Sequence, residues 1–214
     1  MVHQDPQPGN VKVTREDWLN VAMDLLISDG VSDVKVLTIG ERLGVSRSSF
    51  YWYFKSRQDL LDQLLSRWEE TNTGVLIHHS ELPAETITEA VLNLFRCFVD
   101  DGGFNHRLDF AVREWARRDG SVRRVIDRGD NARHAAVARM FERFGYASRE
   151  ADIRARVLYF QQIGYYALDL SEPAEERLKW VDGYVHAFTG VVPPVDEVAR
   201  FRSYVLGRLR AHGV

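Results

Sequence analysis

From Arg57 onward, apolar side chains recur at helical spacing in segments of about 15 to 25 residues, and strand-like alternation is nearly absent. The segments break at Pro83, Gly102 and Gly103, Gly120, Gly145, Pro173, and Pro193 with Pro194. Proline cannot donate to the helical ladder and glycine frees the backbone to turn, so each break marks a helix end. With only one apolar stripe apiece, such segments bury it by packing helix on helix. The expected fold class is all-α.

The chain has 214 residues, 45% hydrophobic and 28% charged, enough for one large domain or a small unit plus a large one. Cys97 is the only cysteine, which excludes an intrachain disulfide and a thiolate-rich metal site. His78 and His79 are adjacent and would point about 100° apart on a helix, poor geometry for a shared metal. No apolar run approaches the roughly 18 residues of a membrane span, and the opening "MVHQDPQPGN" lacks an apolar signal stretch. The expectation is a cytoplasmic chain with no membrane partner. Enzyme motifs such as a Gly-rich phosphate loop after a strand, G-x-S-x-G or H-E-x-x-H are missing, so no enzyme, cofactor or metal is expected.

After a tail rich in Pro and Gly, expected to be flexible over residues 1–13, "TREDWLNVAMDLLISDG" reads as a helix. Thr14 can cap it with Asp17 closing a capping box, Trp18, Ala22, Leu25 and Leu26 form its stripe, and Gly30 stops it. A second, short helix is expected from "TIGE", with Thr38 as cap and Glu41 three residues later, ending at a left-handed Gly44. Ser46 would cap a third helix, and Ser56 with Asp59 a fourth, whose Leu60, Leu64 and Trp68 share a face.

The stretch "RLGVSRSSFYWYFKSR", residues 42–57, holds Arg42, Arg47, Lys55 and Arg57 and no acid, although the whole chain carries a net charge of −3. Positive charge is focused rather than abundant. Phe50, Tyr51, Trp52, Tyr53 and Phe54 run consecutively and would point all round a helix. Two short helices joined at "LGVS", with a third packed across them, make a helix-turn-helix, whose second helix enters the DNA major groove. On that reading Phe50 and Phe54 face inward, while Arg47, Ser48, Tyr51, Trp52 and Lys55 face out. Arg47 would reach guanine edges; the hydroxyls of Ser48, Ser49 and Tyr51 and the charge of Lys55 would hold phosphates. Thr38, Tyr53 and Arg57 complete the candidate DNA-binding set.

"LTIGERLGVSRSSFYWYFKSRQDLLDQLL" resembles the signature of the TetR family of one-component transcriptional regulators: a hydroxyl-capped second helix, "LGVS", an aromatic run closing on Phe-Lys, and a Leu-rich fourth helix, in this order. The resemblance covers about residues 14–65. It implies an all-helical homodimer with a DNA-binding headpiece at 14–56 and an effector-binding and dimerisation domain at 57–214. By position it puts Arg47 and Ser48 on bases and Ser49, Tyr51, Trp52 and Lys55 on the backbone. Tyr53 stands where many members have His, and Gly40 where a small Ala is usual, a departure that would let helix 1 approach closely.

The same resemblance implies a small-molecule inducer among the helices after the headpiece, with Trp68, Phe95, Phe98, Phe110, Trp115, Met140 and Phe141 as candidate walls. Arg113, Arg117, Arg118, Arg123, Arg124, Arg128, Arg133 and Arg139 read mostly as a solvated face paired with Asp119, Asp127 and Asp130. Dimerisation is expected through two long helices near 148–170 and 174–190, by Val157, Gln161, Tyr165 and Leu168 of the first and Leu178, Trp180, Val181, Tyr184 and Phe188 of the second. The function expected is a repressor released from an inverted-repeat operator on double-stranded DNA by its inducer. The alternatives are an activator with the same headpiece and a helical small-molecule-binding protein.

Overall fold

The computed structural model describes residues 13–100, 103–168, 170 and 172–211. The expected flexible tail lies outside them except for Val13, as does the break at Gly102. Helices account for every long element, and among the described residues there is no strand. The chain divides into two compact units between Leu65 and Ser66.

In the first unit, α1 (Arg15–Asp29) opens on the expected capping box: Thr14 Oγ1 accepts from Asp17 N at 3.2 Å, and Asp17 Oδ2 accepts from Thr14 N at 2.7 Å. Trp18, Leu19, Ala22, Leu25 and Leu26 are buried, and Gly30 leaves the helix at φ 81°. The chain then makes a 3₁₀ turn at Val31–Asp33 and enters α2 (Val36–Leu43). Thr38 does not cap α2. Lys35 holds that position, and Ile39 N already donates to Lys35 O at 3.0 Å across Thr38, so the first turn closes before the hydroxyl residue.

Gly44, at φ 67°, makes the tight exit from α2. Gly40 matters to this turn more than to α1. A Cβ there would stand 3.2 Å from the carbonyl O of Val45, but at an ordinary 3.6 Å from Trp18. The third helix, α3, is α-helical only over Arg47–Phe50. Tyr51, Trp52 and Tyr53 continue it with bonds from each N–H to the carbonyl three residues back. Serines and aromatics are poor helix formers, and Ser49 Oγ donates to Ser46 O at 2.8 Å, which favours a tight turn over a long helix. Ser46 occupies the cap position of α3 but its hydroxyl accepts from no helix N–H; it meets Ser48 Oγ at 2.8 Å.

α4 (Arg57–Trp68) starts as expected, with Ser56 Oγ accepting from Asp59 N at 3.1 Å, and buries Leu60, Leu61 and Leu64. It carries the chain through the division between the units. Residues Glu69–Gly74 are wound as a π-helix, which turns both Asn72 and Thr73 inward. There follow α5 (Val75–Glu81), α6 (Ile87–Arg96), α7 (His106–Ala116), α8 (Gly120–Arg143), α9 (Ser148–Ala167), α10 (Ala174–Lys179), α11 (Val181–Thr189) and α12 (Val195–Ala211).

Caps are read directly from side chains: Thr86 receives Glu89 N at 3.0 Å for α6, Asn105 receives Leu108 N at 3.0 Å for α7, and Asp119 receives Ser121 N at 2.9 Å for α8. Gly120 is thus the first residue of α8 rather than a break. The core of this unit gathers Leu76, Val91, Leu94, Val137, Met140, Phe141, Ala155, Leu158 and Val185, with Cys97 buried among them as a free thiol. The second long helix expected near 174–190 is two, because the chain bends at Trp180 (φ −99°, ψ −2°) between α10 and α11.

Candidate nucleic-acid interface and effector cleft

The first unit sorts its aromatic run by burial. Phe50 packs edge-on against Trp18 at 5.3 Å and stacks on Phe54 at 5.1 Å, both phenylalanines being buried. Trp52 is 80% exposed, and Tyr51, Arg47, Ser48 and Lys55 share the open surface with it. Arg47 Nη2 donates to Tyr51 Oη at 3.2 Å, which splays the guanidinium along the exposed turn. Lys35, Leu37, Arg47, Tyr51 and Lys55 line a shallow niche. Lys35 and Leu37 were missed by sequence reasoning. The signal was available: Leu37 lies about 200° round α2 from the buried Ile39, so the helix must point one of them outward.

Three expected members of the DNA-binding set are engaged inside the unit. Tyr53, half-buried, donates its hydroxyl to Val13 O at 2.8 Å. Arg57 donates from Nε to Val34 O at 2.6 Å and from Nη2 to Val31 O at 2.5 Å, clamping the loop before α2 to the start of α4. Thr38 is half-buried within α2. Ser49 faces partly outward but spends its hydroxyl proton on Ser46 O.

The second unit has an open cleft of about 710 Å³, its mouth included, lined by Phe95, Phe98, Val99, Gln161, Gln162, Tyr165, Glu172, Ala174, Arg177, Leu178, Val181, Tyr184, Phe188, Phe201 and Val205. Of the expected ligand walls only Phe95 and Phe98 reach it. Trp68, Met140 and Phe141 are wholly buried and Trp115 nearly so, because their stripes pack inward between helices. Phe110 is half-buried on α7, away from the cleft.

Trp68 belongs to a polar network that sequence reasoning placed on a solvated face. Arg133 is wholly buried, its guanidinium 4.8 Å from the Trp68 ring and 5.1 Å from that of Phe104. It donates to Asp109 Oδ1 and Thr73 Oγ1, both at 3.0 Å. Arg113 donates to Asp109 Oδ2 at 2.8 Å and forks onto Asp130 at 2.7 and 2.9 Å. Tyr159 donates to Asp130 Oδ1 at 2.7 Å. Burial works to raise the Asp130 carboxyl, but the hydrogen bonds and charge of Arg113 win and hold it below the usual range. Burial pushes the Tyr159 hydroxyl up. The two arginines look solvated in the sequence because helical spacing alone does not reveal that Asp109 of α7, one turn before Arg113, is buried against Arg133 of α8. Elsewhere the expected reading fits: Arg123 pairs with Asp127 at 2.8 Å on the open surface.

The candidate dimer residues divide. Val157, Leu168, Trp180 and Tyr184 are exposed, Leu168 at 71% and Trp180 at 61%. Val181, Phe188 and Leu178 are buried within the chain, where α10 and α11 pack inward, and Gln161 and Tyr165 turn into the cleft. The outward stripe of α9 is instead Ile153, Val157 and Phe160, spaced four and three apart.

The sequence pattern of the bacterial regulatory proteins of the tetR family matches residues 19–64, the span that contains α2, α3 and the exposed turn after them. Over that span the chain carries the sequence signature of the TetR family. Among curated relatives it is similar to the HTH-type transcriptional regulator AcrR of Shigella flexneri, 38% identical over 65 residues, which are 29% of each chain. It is also similar to the nucleoid occlusion factor SlmA of Actinobacillus pleuropneumoniae, 27% identical over 139 residues, 62% of this chain and 61% of that one. The matched part is thus under a third of AcrR and under two thirds of SlmA. In fold, it is similar to Escherichia coli NemR in its reduced form, with a TM-score of 0.60 at 17% identity over 85% of this chain and all of that one.

Proposed function

We propose that this chain is a DNA-binding transcriptional regulator that works as a homodimer, represses from an inverted-repeat site, and is released by a small molecule bound in the second unit. The observation that carries the reading is the exposed surface of Arg47, Ser48, Tyr51, Trp52 and Lys55 within the part of the chain that matches the family, although the Asp59 carboxylate accepts from Lys55 N at 2.8 Å. Exposed cations attract phosphates and release their counterions, and an exposed arginine beside them can fork onto a guanine edge. Lys35 extends the cationic surface, although Asp33 lies 2.9 Å from it and shares its charge.

Dimerisation rests on the outward stripe of Ile153, Val157 and Phe160 on α9 and on Trp180 and Tyr184 at the start of α11, which water would otherwise cover. The effector site is the cleft around Phe95, Phe98 and Phe188, and α4, continuous through the division between the units, carries the coupling. The test is a fluorescence-anisotropy titration on random and selected duplexes across a salt series. A regulator binds random DNA with affinity that falls steeply with salt, and one selected inverted repeat more tightly by about a thousandfold or more. Salt-independent binding, or none, would remove the reading.

A further inference from the structure

We infer that the cleft of the second unit takes a small carboxylate with a flat apolar body, the carboxylate on Arg177 and the Gln162 amide and the body among Phe95, Phe98 and Phe188. The inference rests on the reading of this cleft as the effector site and adds the class of ligand. Its first support is Arg177. The guanidinium lies 4.4 Å over the ring of Tyr165, and among the described residues it forms no ion pair with a carboxylate. Stacking satisfies one face of a guanidinium and leaves its N–H edge, the part that forks onto a carboxylate, without an acceptor.

The second support is independent of the first. Gln162, on α9, is only 8% exposed, and its Nε2 is buried without a hydrogen-bond partner. The Tyr166 hydroxyl is near enough to feel the amide but makes no well-formed bond with it. A buried N–H without an acceptor is costly, and here it belongs to a residue that lines the cleft. An apolar ligand would leave that N–H unsatisfied, and a cation would oppose Arg177. Glu172, also on the lining, is exposed at the mouth and accepts from the Tyr165 hydroxyl at 3.4 Å, so it does not supply the missing acceptor.

The aromatic walls set the body of the ligand. Phe95 meets Phe188 edge-on at 6.1 Å and Phe201 at 6.4 Å, a spacing that leaves ring faces and edges for a planar apolar group rather than for a sugar or a nucleotide phosphate chain.

The experiment is calorimetric titration of the full chain, without DNA, with three probes of one shape: naphthoate, naphthalenemethanol and naphthylmethylamine. Naphthoate is expected to bind about tenfold or more tightly than the alcohol, and the amine least. Arg177→Gln should abolish the preference for naphthoate and leave the alcohol unchanged. Gln162→Leu should weaken naphthoate severalfold while the thermal melt of the free protein does not fall. Equal binding of acid and alcohol by the wild-type chain would overturn the inference without any variant, and so would tightest binding of the amine or a naphthoate preference that survives Arg177→Gln. Because no DNA is present, these results stand apart from whether the first unit binds an operator.

Discussion

Trp68 donates its indole Nε1 to Asp109 Oδ1 at 2.8 Å, and both side chains are wholly withdrawn from water. The same carboxylate receives Arg133 at 3.0 Å and Arg113 at 2.8 Å, so one buried acid neutralises and orders three donors from α4, α7 and α8. Removing it strands a buried guanidinium. Asp109→Ala should therefore lower stability by about 3 to 5 kcal/mol, more than the deletion of any exposed partner such as Asp127. Urea denaturation of the two variants checks this, and equal midpoints would mean that the network does not hold the unit together.

That pinned indole gives Gly129 its role. A Cβ at Gly129 would stand 3.0 Å from Trp68 Cη2 and 3.2 Å from Thr73 Oγ1, and the ring cannot swing away without leaving Asp109. Alanine in the middle of α8 would gain about 1 kcal/mol of helix propensity, but overpacking costs about 1 to 3 kcal/mol, so Gly129→Ala should destabilise. Gly207, on α12, has nothing within 4 Å of the same built atom. Gly207→Ala should stabilise by up to about 1 kcal/mol, and thermal melts of the pair should move in opposite directions.

What the sequence made legible follows from how local each signal is. The capping box at Thr14 and Asp17, the left-handed exit at Gly44 and the inward Phe50 and Phe54 all depend on neighbours within a few residues. The cleft depends on Phe95, Gln162, Arg177 and Phe201, which lie on four helices far apart in sequence, and periodicity says nothing about which stripes meet. Tyr53 and Arg57 show the same limit. Each looks like a free polar group near the aromatic run, yet each is bound to a backbone carbonyl more than twenty residues away, Val13 and Val34. The inward turn of Val181 and Phe188 was hidden by the bend at Trp180, which no proline or glycine announces.

The proposed dimer face can be tested at Phe160, which is 57% exposed and does not line the effector cleft. Phe160→Glu adds a charge to an outward position, so the helical content of the chain should be unchanged. Burying that charge against a second copy would be costly. Sedimentation at micromolar concentration should show a dimer for the wild type and a monomer for the variant, whose melting temperature should no longer rise with protein concentration. A variant that still sediments as a dimer would place the interface elsewhere.

The surface around the aromatic run assigns different work to neighbouring residues, and four substitutions separate them. Arg47 lies at the start of α3 with its guanidinium exposed beside Tyr51, so Arg47→Ala should cost about 1 to 3 kcal/mol on a preferred duplex and relax preference at one base pair in each half-site. Lys55 has a compact charge on a flexible stem. Lys55→Ala should weaken preferred and random DNA alike and shallow the salt slope by about one unit. Tyr53→Phe removes only the bond to Val13 O, so it should cost about 1 kcal/mol of stability and leave the salt slope unchanged. Phe50→Ala empties the space against Trp18 and Phe54 and should cost about 3 to 5 kcal/mol of folding free energy. Binding isotherms on preferred and scrambled duplexes at several salt concentrations, with melts alongside, distinguish the four. If Tyr53→Phe shallowed the salt slope as Lys55→Ala does, its hydroxyl would be gripping a phosphate in the complex. The bond to Val13 would then be one that DNA displaces.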